Sequence, residues 1–267
     1  MKIEKITIIG GRGKNGADEH VREISLSMGQ VVSIVGPTGS GKTEFINDIE
    51  LFADGTTPSG RRVLINDAPP SYELVNDPSS NPVALITQHT NFLSDLPVKK
   101  FLETHARIRQ ADNIDSSVAE TLNFANQLTG EPIIEESAMT ELSGGQTRAL
   151  LIADAVIIGN APILLLDEIE NAGINRTRAI ELLKGYQKIF IFVTHDPRIA
   201  LFSDFRIVMK EGAMQKIITT DEGEQKVAEE IKKLDDLLLD FRAKIRAGGT
   251  LTESELEKRL RALGYLA

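Results

Sequence analysis

The sequence predicts an α/β fold, a mostly parallel sheet with helices packed around it. Three observations lead there. Short apolar runs recur at 31–35, 83–86, 163–166 and 189–193, the form taken by strands buried on both faces. Helical stretches separate them, so the order is βαβ rather than strand after strand. The first of these runs leads directly into a glycine-rich turn.

Each element has its own warrant. Ile24, Leu26 and Met28 alternate with polar residues, which predicts a half-buried strand. The stretch from Leu96 to Glu135 carries helical patterning and no strand signal, so a helical subdomain of about residues 94–140 is inserted in the sheet domain. From Glu222 onward the chain becomes charged and helical. Val227, Ile231, Leu234, Leu238, Phe241 and Ile245 step by four, three, four, three and four, an apolar seam of the heptad kind. Ala247-Gly248-Gly249 breaks that helix. Thr252 with Glu255 then forms a capping-box pattern opening a second helix, with Leu256, Leu260 and Leu263 on one face. The expected division is a domain over 1–221 and a helical hairpin over 222–267.

Composition narrows the function classes. With 267 residues and 41% hydrophobic content, there is ample chain for one large core. A net charge of −9 argues against general binding to nucleic acid, which needs clustered Lys and Arg. The chain has no cysteine, so disulfides, thiolate zinc and iron–sulfur ligation are excluded. No apolar run approaches the ~20 residues that cross a bilayer. The expected location is cytoplasmic, peripheral at the inner membrane face where another chain supplies the membrane part.

The strongest chemical signal is Gly36, Pro37, Thr38, Gly39, Ser40, Gly41, Lys42 and Thr43, directly after a buried strand. This fits the phosphate-binding P-loop in full. The glycines let backbone N–H groups turn inward around phosphate oxygens, and the following helix adds its positive end. Lys42 is expected at the β- and γ-phosphates and the Thr43 hydroxyl on Mg²⁺. The run 163–166 ends in Asp167 and Glu168. Asp167 is placed to orient the metal through water, and Glu168, at the strand exit, to polarise an attacking water. A second helix start, Ser143, Gly144, Gly145 and Gln146, makes a further anion-binding end.

Leu142-Ser143-Gly144-Gly145-Gln146 resembles the signature sequence of the ABC ATPase family, and other marks follow in family order. Gln88, after the run 83–86, sits where the family's Q-loop glutamine lies. His195, after the run 189–193, resembles its switch histidine. The resemblance covers roughly residues 1 to 218. It implies a P-loop NTPase sheet with an antiparallel β subdomain, the helical insertion and an appended C-terminal hairpin. It also implies ATP and Mg²⁺ as ligands and hydrolysis to ADP and phosphate. Two ATP would lie at the interface of a head-to-tail homodimer, with Ser143, Gly145 and Gln146 reaching the γ-phosphate in trans. Gln88 would sense Mg²⁺, and His195 would contact the γ-phosphate beside Glu168.

Two stretches depart from the family pattern. The loop 10–16 has no aromatic to stack on adenine, leaving Arg12 as the substitute. The segment 169–174 lacks the proline and the Ser-Ala-Leu-Asp-like loop of transport ATPases. One motif is dismissed: Gly11 to Gly16 matches G-x-G-x-x-G, but the next apolar pattern alternates like a strand where a dinucleotide fingerprint needs a helix. Two functions stay open. The first, and the preferred one, is the ATPase subunit of a membrane transporter, with a permease as partner, which the intact signature and the helical insertion of ordinary size favour. The second is a soluble ATPase that remodels a protein complex, which the altered loop and the tail favour.

Overall fold

The structure is a computed structural model and describes residues 2–77, 80–87, 89–169, 174 and 176–266, with 176 and 177 as backbone only. The chain divides into two units, 1–219 and 220–267. In the first, β1 (Lys5–Ile9) and β2 (Glu23–Ser27) pair antiparallel, and β3 (Val31–Val35) runs into α1 (Lys42–Glu50). β4 (Arg62–Ile65) returns to pair with β1. After α2 (Tyr72–Asn76) and β5 (Val83–Ile86) comes the helical insertion, α3 (Val98–Ile108) and α4 (Ile114–Leu128). Then follow α5 (Gly144–Val156), β6 (Ile163–Asp167), α6 (Arg176–Lys184), β7 (Ile189–Val193) and α7 (Pro197–Phe202). The hairpin β8 (Phe205–Lys210) and β9 (Ala213–Thr219) completes the unit.

Among the described residues the strands form a small antiparallel sheet, β2-β1-β4, and a large sheet ordered β5-β6-β7-β3-β8-β9. The large sheet is parallel from β5 to β8, and β9 closes its edge antiparallel. Period-two alternation splits the central strands between two cores. Leu164, Leu166, Phe190 and Phe192 face the core shared with α3, α4 and α5. Ile163, Leu165, Ile189 and Ile191 face the other, where Phe45, Ile46 and Ile49 of α1 meet Ile8, Leu26 and Val63 of the small sheet. The P-loop helix is thus held between the two sheets. Full burial of a side chain such as Phe45 contributes about 1.5–3 kcal/mol.

A charged cluster lies inside this second core. The Arg61 side chain is fully buried. Its Nη2 donates to Glu19 Oε1 at 2.6 Å and to the Gly212 carbonyl at 2.5 Å, and its Nη1 donates to Asp48 Oδ2 at 2.8 Å. The guanidinium also stacks on Phe45, 5.0 Å from the ring centre. Burial opposes the charge, but the hydrogen bonds and charges of Glu19 and Asp48 overcome it and hold the pKa above the ordinary arginine value. Glu19 in turn accepts from the backbone N–H of Gly11 and Met214. The cluster therefore joins the small sheet, α1 and the β8–β9 hairpin. Its members are scattered over the sequence, and no pattern in the sequence announced it.

The strand expected from Ile24, Leu26 and Met28 stops at Ser27, because Gly29 at φ 89° opens a turn. Gly11, in the dismissed dinucleotide motif, has a packing reason: a Cβ there would lie 2.0 Å from the Ser59 carbonyl oxygen.

The second unit contains α8 (Glu222–Arg246) and α9 (Glu253–Ala262). Thr252 caps α9 by accepting from the Glu255 N–H. The expected capping box is half formed, because the Glu255 carboxylate pairs with Lys244 of α8. Tyr265 Oη reaches Glu230 Oε2 at 2.6 Å, so α9 returns along α8. Of the heptad seam, Ile231 and Phe241 are half-buried, while Val227, Leu234, Leu238 and Ile245 are exposed.

Arg61→Met should lower the unfolding free energy by about 3–5 kcal/mol, because it leaves Glu19 and Asp48 buried without their cation. Urea unfolding of the variant measures this, and a loss under ~1 kcal/mol would mean that the cluster adds little. Truncation after Thr219 should leave a cooperative melting transition and ATP hydrolysis in place. Loss of that transition would show that the two units share one core.

Candidate nucleotide site

The site forms where strands end. β6, β7 and β3 are neighbours in that order, all running the same way. Their C-terminal ends bring Asp167, His195 and the P-loop to one edge of the sheet, the position at which open α/β sheets bind ligands.

The P-loop needs its glycines. Gly39 and Gly41 have φ of 78° and 95°, backbone that L-residues adopt at a cost. A Cβ on Gly41 would also lie 2.7 Å from Gly212 Cα. The loop is gripped from outside: Gly212 N–H donates to the Ser40 carbonyl at 2.9 Å, and Lys14 Nζ donates to the Gly39 carbonyl at 2.8 Å. Lys42 Nζ donates to the carbonyls of Gly36 at 2.9 Å and Pro37 at 3.1 Å. Its side chain is buried. Burial lowers its pKa, while Glu168 and Asp167 act in the opposite sense. An ammonium whose hydrogen-bond partners are neutral carbonyls, at the N-terminus of a helix, fits a phosphate. Thr43 is exposed on the first turn of α1, and Asp167 is half-buried at the end of β6. One hydroxyl and one carboxylate form a sparse set, of the kind that holds Mg²⁺ together with substrate phosphates.

Glu168 follows β6 with φ 48°, a left-handed non-glycine residue whose N–H donates to the Val193 carbonyl at 3.0 Å. That bond sets it beside His195, with Glu168 Oε1 3.8 Å from His195 Nε2. Strain of this kind costs about 1–3 kcal/mol and collects at functional sites. His195 is exposed, and Asp196 after it caps α7 by accepting from the Arg198 N–H at 2.9 Å.

Ser143 caps α5. Its Oγ accepts from Gln146 N–H at 3.3 Å, and Gln146 Oε1 accepts from Ser143 N–H at 3.0 Å. The helix begins at Gly144, directly after its cap, because this box satisfies its first amides. Gln146 Nε2 donates to the Pro132 carbonyl. These side chains thus bond to each other and to Pro132 rather than to residues 36–43. Gln88 and residues 170–173 of the altered loop lie outside the described residues. Arg148 of α5 donates to the Thr87 carbonyl, tying the signature helix to the segment just before Gln88.

Two contributors were missed in the sequence, Lys14 and the Glu211–Gly212 turn. Both turn residues have positive φ, 54° and 83°, the two-residue hairpin geometry that a glycine at the second position favours. Glu211-Gly212 between two apolar stretches was that signal. Arg12, expected near the base, is exposed, with its Nε 3.9 Å from Asp18 Oδ1.

The comparisons agree with this geometry. The ABC transporter family profile matches residues 21–171. An uncharacterised ABC transporter ATP-binding protein of Methanocaldococcus jannaschii is 48% identical over 256 residues, which cover 96% of this chain and 98% of the relative. Among solved structures, cbiO1 of Clostridium perfringens, part of the ABC transporter complex cbiONQ, superposes with a TM-score of 0.62 at 21% identity, covering 86% of this chain and 94% of that one. A dimeric ATP-binding cassette in a post-hydrolysis state with ADP and Pi superposes with a TM-score of 0.61 at 21% identity, covering 81% and 99%. At that identity the structures speak for the fold. The chain belongs to the ATP-binding proteins of the ABC transporter family. It is an ATPase.

Lys42→Ala should weaken ATP binding by about 100-fold, ~2.7 kcal/mol, because the ammonium neutralises phosphate charge in the cradle. An equilibrium titration with ATP measures it, and unchanged affinity would place the phosphates elsewhere.

Proposed function

We propose that this ATPase energises a membrane transporter through ATP-driven pairing of two copies. One observation carries the reading. The P-loop, Asp167, Glu168 and His195 converge on one sheet edge, whereas the anion-binding helix start at Ser143 keeps its hydrogen bonds away from that edge. A helix N-terminus without a phosphate of its own is available to the phosphate of a second copy.

In this reading residues 36–41 and Lys42 hold the triphosphate by backbone amides and charge. Thr43, Asp167 and Gln88 hold Mg²⁺, which supplies charge neutralisation at the β- and γ-oxygens when bound. Glu168 takes the proton of the attacking water. His195 holds Glu168 in place and donates toward the γ-phosphate. Ser143, Gly144, Gly145 and Gln146 close on that phosphate from the second copy.

Among the described residues no helix is long and apolar enough to cross a membrane. The membrane-spanning partner is then a separate permease, with this subunit cytoplasmic and peripheral at the inner face. The transporter names of the relatives support this partner over a soluble remodelling complex, and co-purification of a multi-spanning protein tests it.

Glu168→Gln is nearly isosteric. It keeps the cradle and removes the base, which is expected to slow hydrolysis by about 10²–10⁴-fold. ATP bound between two copies then stabilises the pair by mass action. Light scattering should show a dimer with ATP and Mg²⁺ and a monomer after the further change Ser143→Arg. A Glu168→Gln protein that binds ATP yet stays monomeric would overturn the sandwich.

A further inference from the structure

The opposite edge of the large sheet carries a cavity of about 740 Å³. Its base is made where the chain enters three neighbouring parallel strands: Pro82 before β5, Pro162 before β6 and Lys188 before β7. Five residues of β6 separate Pro162 from Glu168, about 20 Å along a strand. The cavity is therefore distinct from the nucleotide site.

Lys188 is the unexplained group. Its side chain is 6% exposed. Nζ donates to Asn160 Oδ1 at 2.7 Å and to the Ala161 carbonyl at 3.0 Å. Both acceptors are neutral and both residues line the cavity. An ammonium has three protons to donate. Among the described residues the third has no acceptor, and no carboxylate pairs with the charge. A buried cation without a counter-ion is costly, and burial lowers the pKa of Lys188 to about 8. The other charged groups lining the cavity are Lys2 from the N-terminal segment, Glu73 of α2 and Arg109 at the end of α3. Three cations against one carboxylate reverse the sign of a chain whose net charge is −9. Ile3 and Leu74 add an apolar wall. The volume falls within the range of small-molecule sites, about 300–1,000 Å³.

We propose that this cavity binds a small organic anion, with a compact anionic oxygen group on Lys188 Nζ and an apolar body against Ile3 and Leu74. The anion supplies the missing countercharge and the third acceptor. Asn160 and Ala161 orient the ammonium toward it.

Titration calorimetry on the full chain tests this, with ADP and Mg²⁺ saturating so that the P-loop is filled. Three probes separate the sources of the anionic group: sulfate as a free ion, glycerol 3-phosphate as a phosphate ester and succinate as a carboxylate. At least one should bind the wild type. Lys188→Met should weaken it at least tenfold. So should Asn160→Asp, which places a carboxylate on the ammonium and keeps the site folded. Neither change touches the ATP machinery, so ATP hydrolysis should persist in both. Because the ammonium is the binding form, affinity should also fall roughly tenfold for each unit of pH above about 8. The proposal is overturned if no probe binds the wild type, or if affinity survives both substitutions.

Discussion

The Arg61 guanidinium holds the nucleotide-binding unit together. An arginine keeps its proton inside a protein, so once buried it obliges its surroundings to supply acceptors for five N–H groups. Here Glu19 comes from the loop before β2, Asp48 from α1 and the Gly212 carbonyl from the turn between β8 and β9. Three elements distant in sequence are fixed relative to one another by one side chain. Gly212 then donates to Ser40 and abuts Gly41, and Lys14 reaches Gly39. The P-loop is therefore shaped by its glycines and kept in place by a clamp that ends on Arg61.

This explains how a loop of small residues can be rigid enough to receive a triphosphate. Preorganised amides cost no rearrangement when charge arrives. Glu168 shows the same economy. Its left-handed backbone is held by one hydrogen bond to Val193 and by the pairing of Asp167 with that residue, which together set the carboxylate beside His195.

The two edges of the parallel sheet carry opposite problems. At the C-terminal edge, Lys42 donates to neutral carbonyls but lies within the field of the acids Asp167 and Glu168. At the N-terminal edge, Lys188 is buried with neutral oxygens only. The same principle, that a buried charge demands a partner, accounts for the stability of the Arg61 cluster and for the anion assigned to Lys188.

The sequence alone determined what depends on neighbours along the chain. β3 and β7 coincide with their apolar runs because central parallel strands are buried on both faces and need continuous hydrophobicity, and β5, half-buried at the sheet edge, coincides with its run as well. The P-loop, the Asp167-Glu168 pair and the Ser143–Gln146 helix start were legible because each is a short contiguous pattern with its own chemistry. The β8–β9 hairpin was overlooked although its Glu211-Gly212 turn was in plain view. Arg61, Glu19 and Asp48 could not be read at all: each is an ordinary charged residue until folding removes the water around it. Lys188 is the same case, whereas Lys14 stays exposed and gains its role only because folding brings the Gly39 carbonyl within its reach. Tertiary structure decided which charges are buried and what they meet, because desolvation and the identity of a partner are properties of the packed chain rather than of any segment of it.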